Sequence, residues 1–227
     1  MKTVIDTKEN INSLAAMLVS ELVKQKPDAA IAFSAGNTQT GIFANLSKSG
    51  VDFTGVHAFL TCEYIGAGSD KSCLHQLRNE LFEPLGIKNV HLPDENAPEM
   101  YEEEIKSCGG LDLALLGIGL NGHIGFNEPA TPFDSYTRIA QLTDSTKRMK
   151  ADLFGGIENV PSHAVTMGLK TICNAKNALL TAFGEEKAEI VHKLVYGKTL
   201  TYVPAAMLQM HMNMTLCLDH AAASKLD

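Results

Sequence analysis

The stretch LLGIGLNGHIGFNEP, residues 115–129, sets an apolar, strand-like run directly against glycines, one histidine, one glutamate and two asparagines. A histidine can give or take a proton near neutral pH, so His123, Glu128 and Asn121 form a candidate proton-transfer cluster. A plain alternative is a glycine-rich turn in which His123 caps a helix and Glu128 is solvated. This stretch alone does not separate the two. A second candidate is AFSAGNTQTGIF, where an apolar run ends at Phe33 and the small residues Ser34, Ala35, Gly36 and Asn37 precede Thr38. Small residues let backbone N–H groups approach an anion, and a helix beginning near Thr38 adds donors and a favourable dipole. That pattern suits a phosphate cradle, while a simple strand-to-helix turn capped by Asn37 or Thr38 fits it as well. It matches neither GxGxxG nor GxxxxGK[ST], so a dinucleotide or nucleoside triphosphate has no motif here. A third stretch, LTCEYIG, brings Cys62 and Glu63 to another strand end.

The elements that must position these groups alternate along the chain. Ile11, Leu14, Ala15, Leu18, Leu22 and Val23 recur at helical spacing over residues 9–26, and residues 29–33 read as a buried strand. Further helices are expected over residues 38–46, 74–85, 98–107 and 187–195. Further strands are expected over residues 56–61, 111–119, 163–169, 177–183 and 214–218. Short apolar strands separated by helices predict an α/β fold: a Rossmann-like, mostly parallel sheet with helices on both faces. Ligands of such sheets bind beyond the carboxyl ends of the strands, where all three chemical stretches fall.

The 227 residues, 45% apolar and 20% charged, contain no internal repeat or linker and are expected to form a single domain over residues 1–227. A formal charge of −7 and a pI near 5.6 argue against nucleic acid or anionic lipid as partner and toward a small molecule. The five cysteines, Cys62, Cys73, Cys108, Cys173 and Cys217, are scattered without a CxxC pair, and no secretory leader is expected. Neither a disulfide framework nor a zinc motif is indicated, and a reducing cytoplasm is the expected location. No apolar run approaches the roughly 18 residues of a membrane span.

Together these stretches resemble the glucosamine-6-phosphate deaminase family and, within it, the galactosamine-6-phosphate isomerases. GHIGFNEP is the most specific match, since the related 6-phosphogluconolactonases have a GHxA-type segment without Asn-Glu-Pro. SYTRI around Arg138, GEEKA around Lys187 and PAAMLQMH over residues 204–211 extend the resemblance through nearly the whole chain. KSCLHQLRNELFEPLG and GGLDLALLGIG resemble the galactosamine branch in particular.

The resemblance implies a glucosamine-6-phosphate deaminase-like fold and conversion of a 2-amino-2-deoxyhexose 6-phosphate to a ketohexose 6-phosphate plus ammonia. It implies that His123 catalyses ring opening, with Glu128 hydrogen-bonded to it and setting its orientation and basicity. It implies that Ser34, Gly36, Asn37 and Thr38, with Ala35 between them, contact the phosphate and that Lys187 supplies charge. Arg138 falls on a family arginine and equally suits a structural ion pair.

The chain departs from the pattern at three points. Asn121 stands where the glucosamine enzymes have Asp, a change that the galactosamine branch tolerates. Cys62 stands where the family has the Asp that acts as C2 base, leaving either a thiol activated by nearby positive charge or Glu63 as substitute. Adjacent strand residues point to opposite faces, so Glu63 cannot take over without local rearrangement. A family basic residue falls near Asp152, with Lys147, Arg148 and Lys150 nearby and at least two of them expected on a solvated helix face.

Two readings follow: an amino-sugar-phosphate deaminase with an altered proton-transfer site, or a sugar-phosphate-binding protein without turnover. A lactonase-type hydrolase is a third, and no helix-turn-helix extension for DNA binding is expected. The expected partner is a small sugar phosphate, with no cofactor and no metal. The chain resembles the shorter family members, some of them monomers, so a monomer or small homo-oligomer is expected rather than an allosteric hexamer.

Overall fold

The computed structural model describes residues 1–226. Ten strands run in chain order: β1 (Lys2–Asp6), β2 (Ala30–Phe33), β3 (His57–Leu60), β4 (Cys62–Tyr64), β5 (Asn89–His91), β6 (Leu113–Gly117), β7 (Arg138–Gln141), β8 (His163–Thr166), β9 (Ala178–Ala182) and β10 (Met214–Asp219). The helices between them are α1 (Lys8–Gln25), α2 (Thr40–Leu46), α3 (Cys73–Leu77), α4 (Glu83–Leu85), α5 (Met100–Ser107), α6 (Asp144–Phe154), α7 (Leu169–Cys173) and α8 (Ala188–Tyr196). Seven strands form a parallel sheet in the order β1-β10-β9-β6-β2-β3-β5, as a mostly parallel α/β architecture requires.

Period-two alternation divides the core into two layers. Ile31 and Phe33 of β2 and Leu113 and Leu115 of β6 pack with Ile11, Ala15 and Val19 of α1 and Ile42 and Phe43 of α2. Their neighbours Ala30, Ala32, Ala114 and Leu116 pack on the other face with Tyr101 of α5, Ile172 of α7 and Val191 of α8. Phe33 meets Phe43 and Phe82 edge-on at centroid distances of 6.4 Å. Helix α1 starts where the Thr7 hydroxyl accepts from the Asn10 N–H, and α6 ends on Gly155 with φ 71°.

At the N-terminal end of the sheet the buried Asp112 accepts from the Ala30 N–H at 2.9 Å, Lys26 Nζ at 2.9 Å and Lys176 Nζ at 2.7 Å. Burial raises the Asp112 carboxyl, but these bonds outweigh it and hold the group below the usual carboxylate range. The chemical residues lie at the other end.

Residues 163–169, expected as a strand of the main sheet, instead supply β8, the centre of a separate antiparallel sheet in the order β4-β8-β7. Between β3 and β4 the chain passes from the main sheet into the small one through Thr61 alone. Its N–H still bonds the Phe33 carbonyl of the main sheet, while its carbonyl accepts from Met167 of the small one. Helix α2 begins at Thr40, two residues later than expected. The expected helix over residues 74–85 is widened over Arg78–Phe82, where the Glu83 N–H bonds the Arg78 carbonyl five residues back. The wide turn directly precedes Pro84, whose ring cannot sit over a regular α-helical turn. Strand β1 escapes a buried-strand pattern because it is a largely exposed edge.

Candidate functional site

The strands β9, β6, β2 and β3 are neighbours in the sheet, and the segments that follow them converge at its C-terminal end. They carry Lys187, residues 118–128, residues 34–39 and the Thr61–Tyr64 segment respectively.

The segment after β6 folds on its own backbone, with Gly122 N–H bonding the Gly119 carbonyl and Gly119 N–H bonding the His123 carbonyl, both at 2.9 Å. A Cβ on Gly119 would lie 2.2–2.5 Å from the His123 ring, so glycine there lets the imidazole lie against the main chain. His123 Nδ1 is 2.7 Å from Asn121 Oδ1, and Asn121 Nδ2 donates to Glu128 Oε2 at 3.0 Å. This corrects the expected His123–Glu128 bond: Asn121 stands between them. A carboxylate only accepts, so it fixes the Asn121 amide with Nδ2 toward Glu128 and Oδ1 toward the ring. His123 therefore carries its proton on Nδ1 and presents an unprotonated Nε2. Glu128 is 6% exposed, and its other oxygen accepts from Thr143 N at 3.4 Å.

Burial pushes the His123 pKa down to about 4; Glu128 opposes this, and Lys150 and Lys187 add to it. The imidazole is neutral at pH 7. Lys187 precedes α8, donates to the Ile118 carbonyl at 2.7 Å, and has its pKa lowered by burial and by Lys150. Neither lysine joins a salt bridge among the described residues. Of the charged run around Lys150, Arg148 is exposed, as is Asp152. Lys150 faces the site because it lies on the inner side of α6, which spacing within a polar run does not reveal.

In the segment after β2, Ser34 N–H donates to Leu115 O, and the Ser34 hydroxyl accepts from Thr61 Oγ1 at 3.2 Å. Gly36 has φ 132° with open space where a Cβ would be, Ala35 and Thr38 are half-buried, and Asn37 is exposed. Neither Asn37 nor Thr38 caps α2; Gln39 holds the cap position without a side-chain bond. Gln39 was not anticipated. It is 1% exposed, its Oε1 accepts from Thr181 Oγ1 at 3.2 Å, and its Nε2 has no hydrogen-bond partner among the described residues. Nothing in its local sequence marks it, because its polarity matters only beside Gly117 and Thr181.

The structure separates Glu63 from the proton-transfer cluster. Its Oε1 accepts from Tyr64 N at 2.7 Å and Cys73 N at 2.9 Å, and its Oε2 from Leu74 N at 2.8 Å. The carboxylate is thus bound to the N-terminus of α3, correcting its candidacy as a free base. Cys62, 6% exposed, points to the opposite face, beside Thr61 Oγ1 at 3.8 Å and within the core cluster that holds Tyr64 and Cys73. The hydrogen bond to Cys62, together with burial, pushes the Cys73 thiol well above its ordinary value.

Arg138 makes no ion pair among the described residues. It donates to Asn127 Oδ1 at 2.8 Å and Thr131 Oγ1 at 3.2 Å, and burial lowers its pKa. Asn127 is fully buried and anchors the turn through the Ile124 and Met167 carbonyls at 2.9 and 2.8 Å. Arg138 thereby supports the His123 segment from β7.

Asn121→Asp is expected to move the half-protonation point of His123 from about 4 toward the ordinary imidazole range, because a negative charge then faces Nδ1–H. Titration of the His123 ring protons by NMR measures this. An unchanged titration would mean that Asn121 does not control the imidazole.

Comparison with known proteins places these features in context. The model of the family described as glucosamine-6-phosphate isomerases/6-phosphogluconolactonase matches residues 6–217. A glucosamine-6-phosphate deaminase of Arthrobacter sp. (strain FB24) is 38% identical, covering 98% of this chain and 91% of the relative. One from Mycoplasma mycoides is 37% identical, covering 98% and 96% respectively. The solved structure of a monomeric glucosamine-6-phosphate deaminase superposes with a TM-score of 0.95 at 34% identity, covering 99% of this chain and 100% of that one. The 6-phosphogluconolactonase of Trypanosoma brucei superposes with a TM-score of 0.81 at 18% identity over 100% of this chain and 98% of its own, a likeness of fold alone.

Proposed function

Since the chain belongs to the glucosamine-6-phosphate isomerase/6-phosphogluconolactonase family, we propose that it is an amino-sugar-phosphate deaminase acting on a 2-amino-2-deoxyhexose 6-phosphate. The observation that carries the reading is a neutral imidazole with Nε2 unprotonated, near two lysines that join no salt bridge among the described residues. Neutral Nε2 is the form that accepts a proton at pH 7, and paired ammonium groups suit a phosphate dianion. The curated relatives named as glucosamine-6-phosphate deaminases support the gluco epimer.

In the proposed reaction, His123 Nε2 takes the O1 proton of the closed sugar and returns a proton to the ring oxygen as the C1–O bond breaks and the C1 carbonyl forms. A base then removes the C2 proton as O1 is protonated, giving an enolamine; C1 takes up a proton and the nitrogen gives one up, leaving a hydroxyl on C1 and an imine at C2. Water hydrolyses the imine to the ketone and ammonia. Lys187, Lys150 and residues 34–38 hold the phosphate. By resemblance to the family Cys62 stands in for the C2 base, and Arg138 holds the His123 segment.

A second reading, sugar-phosphate binding without turnover, draws on two observations: Glu63 is committed to α3, and Cys62 is a buried thiol. Ammonia release from glucosamine 6-phosphate and from galactosamine 6-phosphate separates the readings and ranks the epimers. The expected result is release from at least one, increased in Cys62→Asp because a carboxylate is ionised at pH 7. Tight binding of both sugar phosphates with no ammonia from wild type or variant would establish the binding-protein reading instead.

A further inference from the structure

Away from the His123 loops, three potential ligands from distant parts of the chain converge at the outer edge of the main sheet. His57 opens β3, His91 closes the edge strand β5, and Cys108 ends α5. One ring nitrogen of each histidine and the Cys108 sulfur lie within 4.8 Å of one another, and all three residues are half-buried. We propose that these residues form a binding site for a thiophilic divalent cation of the zinc class.

The hydrogen bonds support this beyond proximity. His57 Nδ1 lies 3.1 Å from His91 Nε2, and His91 Nδ1 lies 3.0 Å from Glu104 Oε2. The carboxylate only accepts, so His91 carries its proton on Nδ1 and turns the lone pair of Nε2 inward. This is the tautomer that binds a metal, and a carboxylate behind the other nitrogen is the usual support of a metal-bound histidine. The ring is held by stacking on Phe59, with centroids 4.2 Å apart and planes within 6°.

Two nitrogens bound tetrahedrally at about 2.0–2.1 Å stand about 3.3 Å apart, close to the spacing already present. On binding, the His57 proton moves from Nδ1 to Nε2, the Cys108 thiol gives its proton to solvent, and both atoms become ligands. Two nitrogens and a thiolate favour zinc or cobalt over the hard, oxygen-seeking magnesium and calcium. Glu104 is engaged with His91, so water takes the fourth position. The ion joins β3, the edge strand β5 and the end of α5, and its effect falls on stability.

The test titrates the full-length protein, freed of metal by a chelator, with Co²⁺ as a spectroscopic probe. One equivalent is expected to produce a cobalt–thiolate charge-transfer band, displaced by Zn²⁺. Cys108→Ser is expected to abolish the band, and Glu104→Gln to weaken cobalt affinity about 10–100-fold while leaving all three ligands in place. Zn²⁺ at about a hundred times its Kd raises Tm by roughly 5–10 °C in wild type but not in Cys108→Ser. Absence of the band at one equivalent, or a band of unchanged strength in Cys108→Ser, would overturn the site. If Cys108→Ser fails to fold, the decision falls to His57→Gln and Glu104→Gln, and undiminished cobalt affinity in both overturns it equally.

Discussion

His123→Gln is expected to lower turnover of the closed-ring amino-sugar phosphate about 10²–10⁴-fold, the usual contribution of a positioned acid–base group, while folding and ligand binding persist. Glutamine keeps comparable size and polarity but cannot alternate between proton acceptor and donor. Gly119 leaves room for a planar side chain against the backbone, and Asn121 Oδ1, 2.7 Å from the imidazole nitrogen, can accept from an amide N–H. The loss should therefore appear in kcat, with KM changing little. Because the His123 pKa is depressed to about 4, wild-type activity limited by this group falls only as pH drops toward 4 and is level through neutrality. Asn121→Asp moves that acid limb upward. Steady-state kinetics of ammonia release between pH 4 and 8 test both effects. Wild-type kcat in His123→Gln removes the imidazole from the mechanism.

Lys187→Ala is expected to weaken binding of a hexose 6-phosphate by about 1.5–3 kcal/mol, or roughly 10–150-fold, and binding of the unphosphorylated sugar hardly at all. Lys187 is half-buried and its pKa is lowered first by burial; Glu186 opposes this, and repulsion from Lys150 adds to it. A phosphate dianion relieves that repulsion, and rising salt should weaken the contact. Lys187 also supports the Ile118 carbonyl, so its removal can loosen the His123 segment. Lys150→Ala breaks no such bond and isolates the effect of charge, with the same selectivity for the phosphorylated ligand expected. Calorimetric titration of each variant with both ligands measures this. Equal weakening for the two sugars would place the phosphate elsewhere.

Much of the frame was legible in the chain because apolar alternation is a local property. The runs that became β2, β6, β9 and β10 are buried on both faces, and such strands read as continuous apolar segments. Strands β1 and β5 escaped because edge strands bury less, and β7 because its pattern of half-buried, exposed, buried and exposed residues spans only four positions. The antiparallel placement of β8 escaped for a different reason. An apolar strand does not encode which strand it pairs with, and here the pairing depends on Thr61 carrying the chain out of the main sheet.

For the site, the sequence by itself determined that glycines, His123, Asn121 and Glu128 share one turn after a buried strand, since their separations are short enough for a single loop to contain them. Only the tertiary structure decided their order of contact. Asn121 lies between ring and carboxylate because the Gly119–Gly122 turn brings its side chain to Nδ1 while Thr143 N–H meets the far oxygen of Glu128. It also decided that Glu63 caps α3, that Lys150 faces inward from α6, and that His57, His91 and Cys108 meet although 34 and 17 residues separate them in sequence. Hydrogen-bond direction and charge proximity depend on distances of a few ångströms between segments that the chain alone leaves unconnected, and those distances exist only once the sheet order brings the segments together.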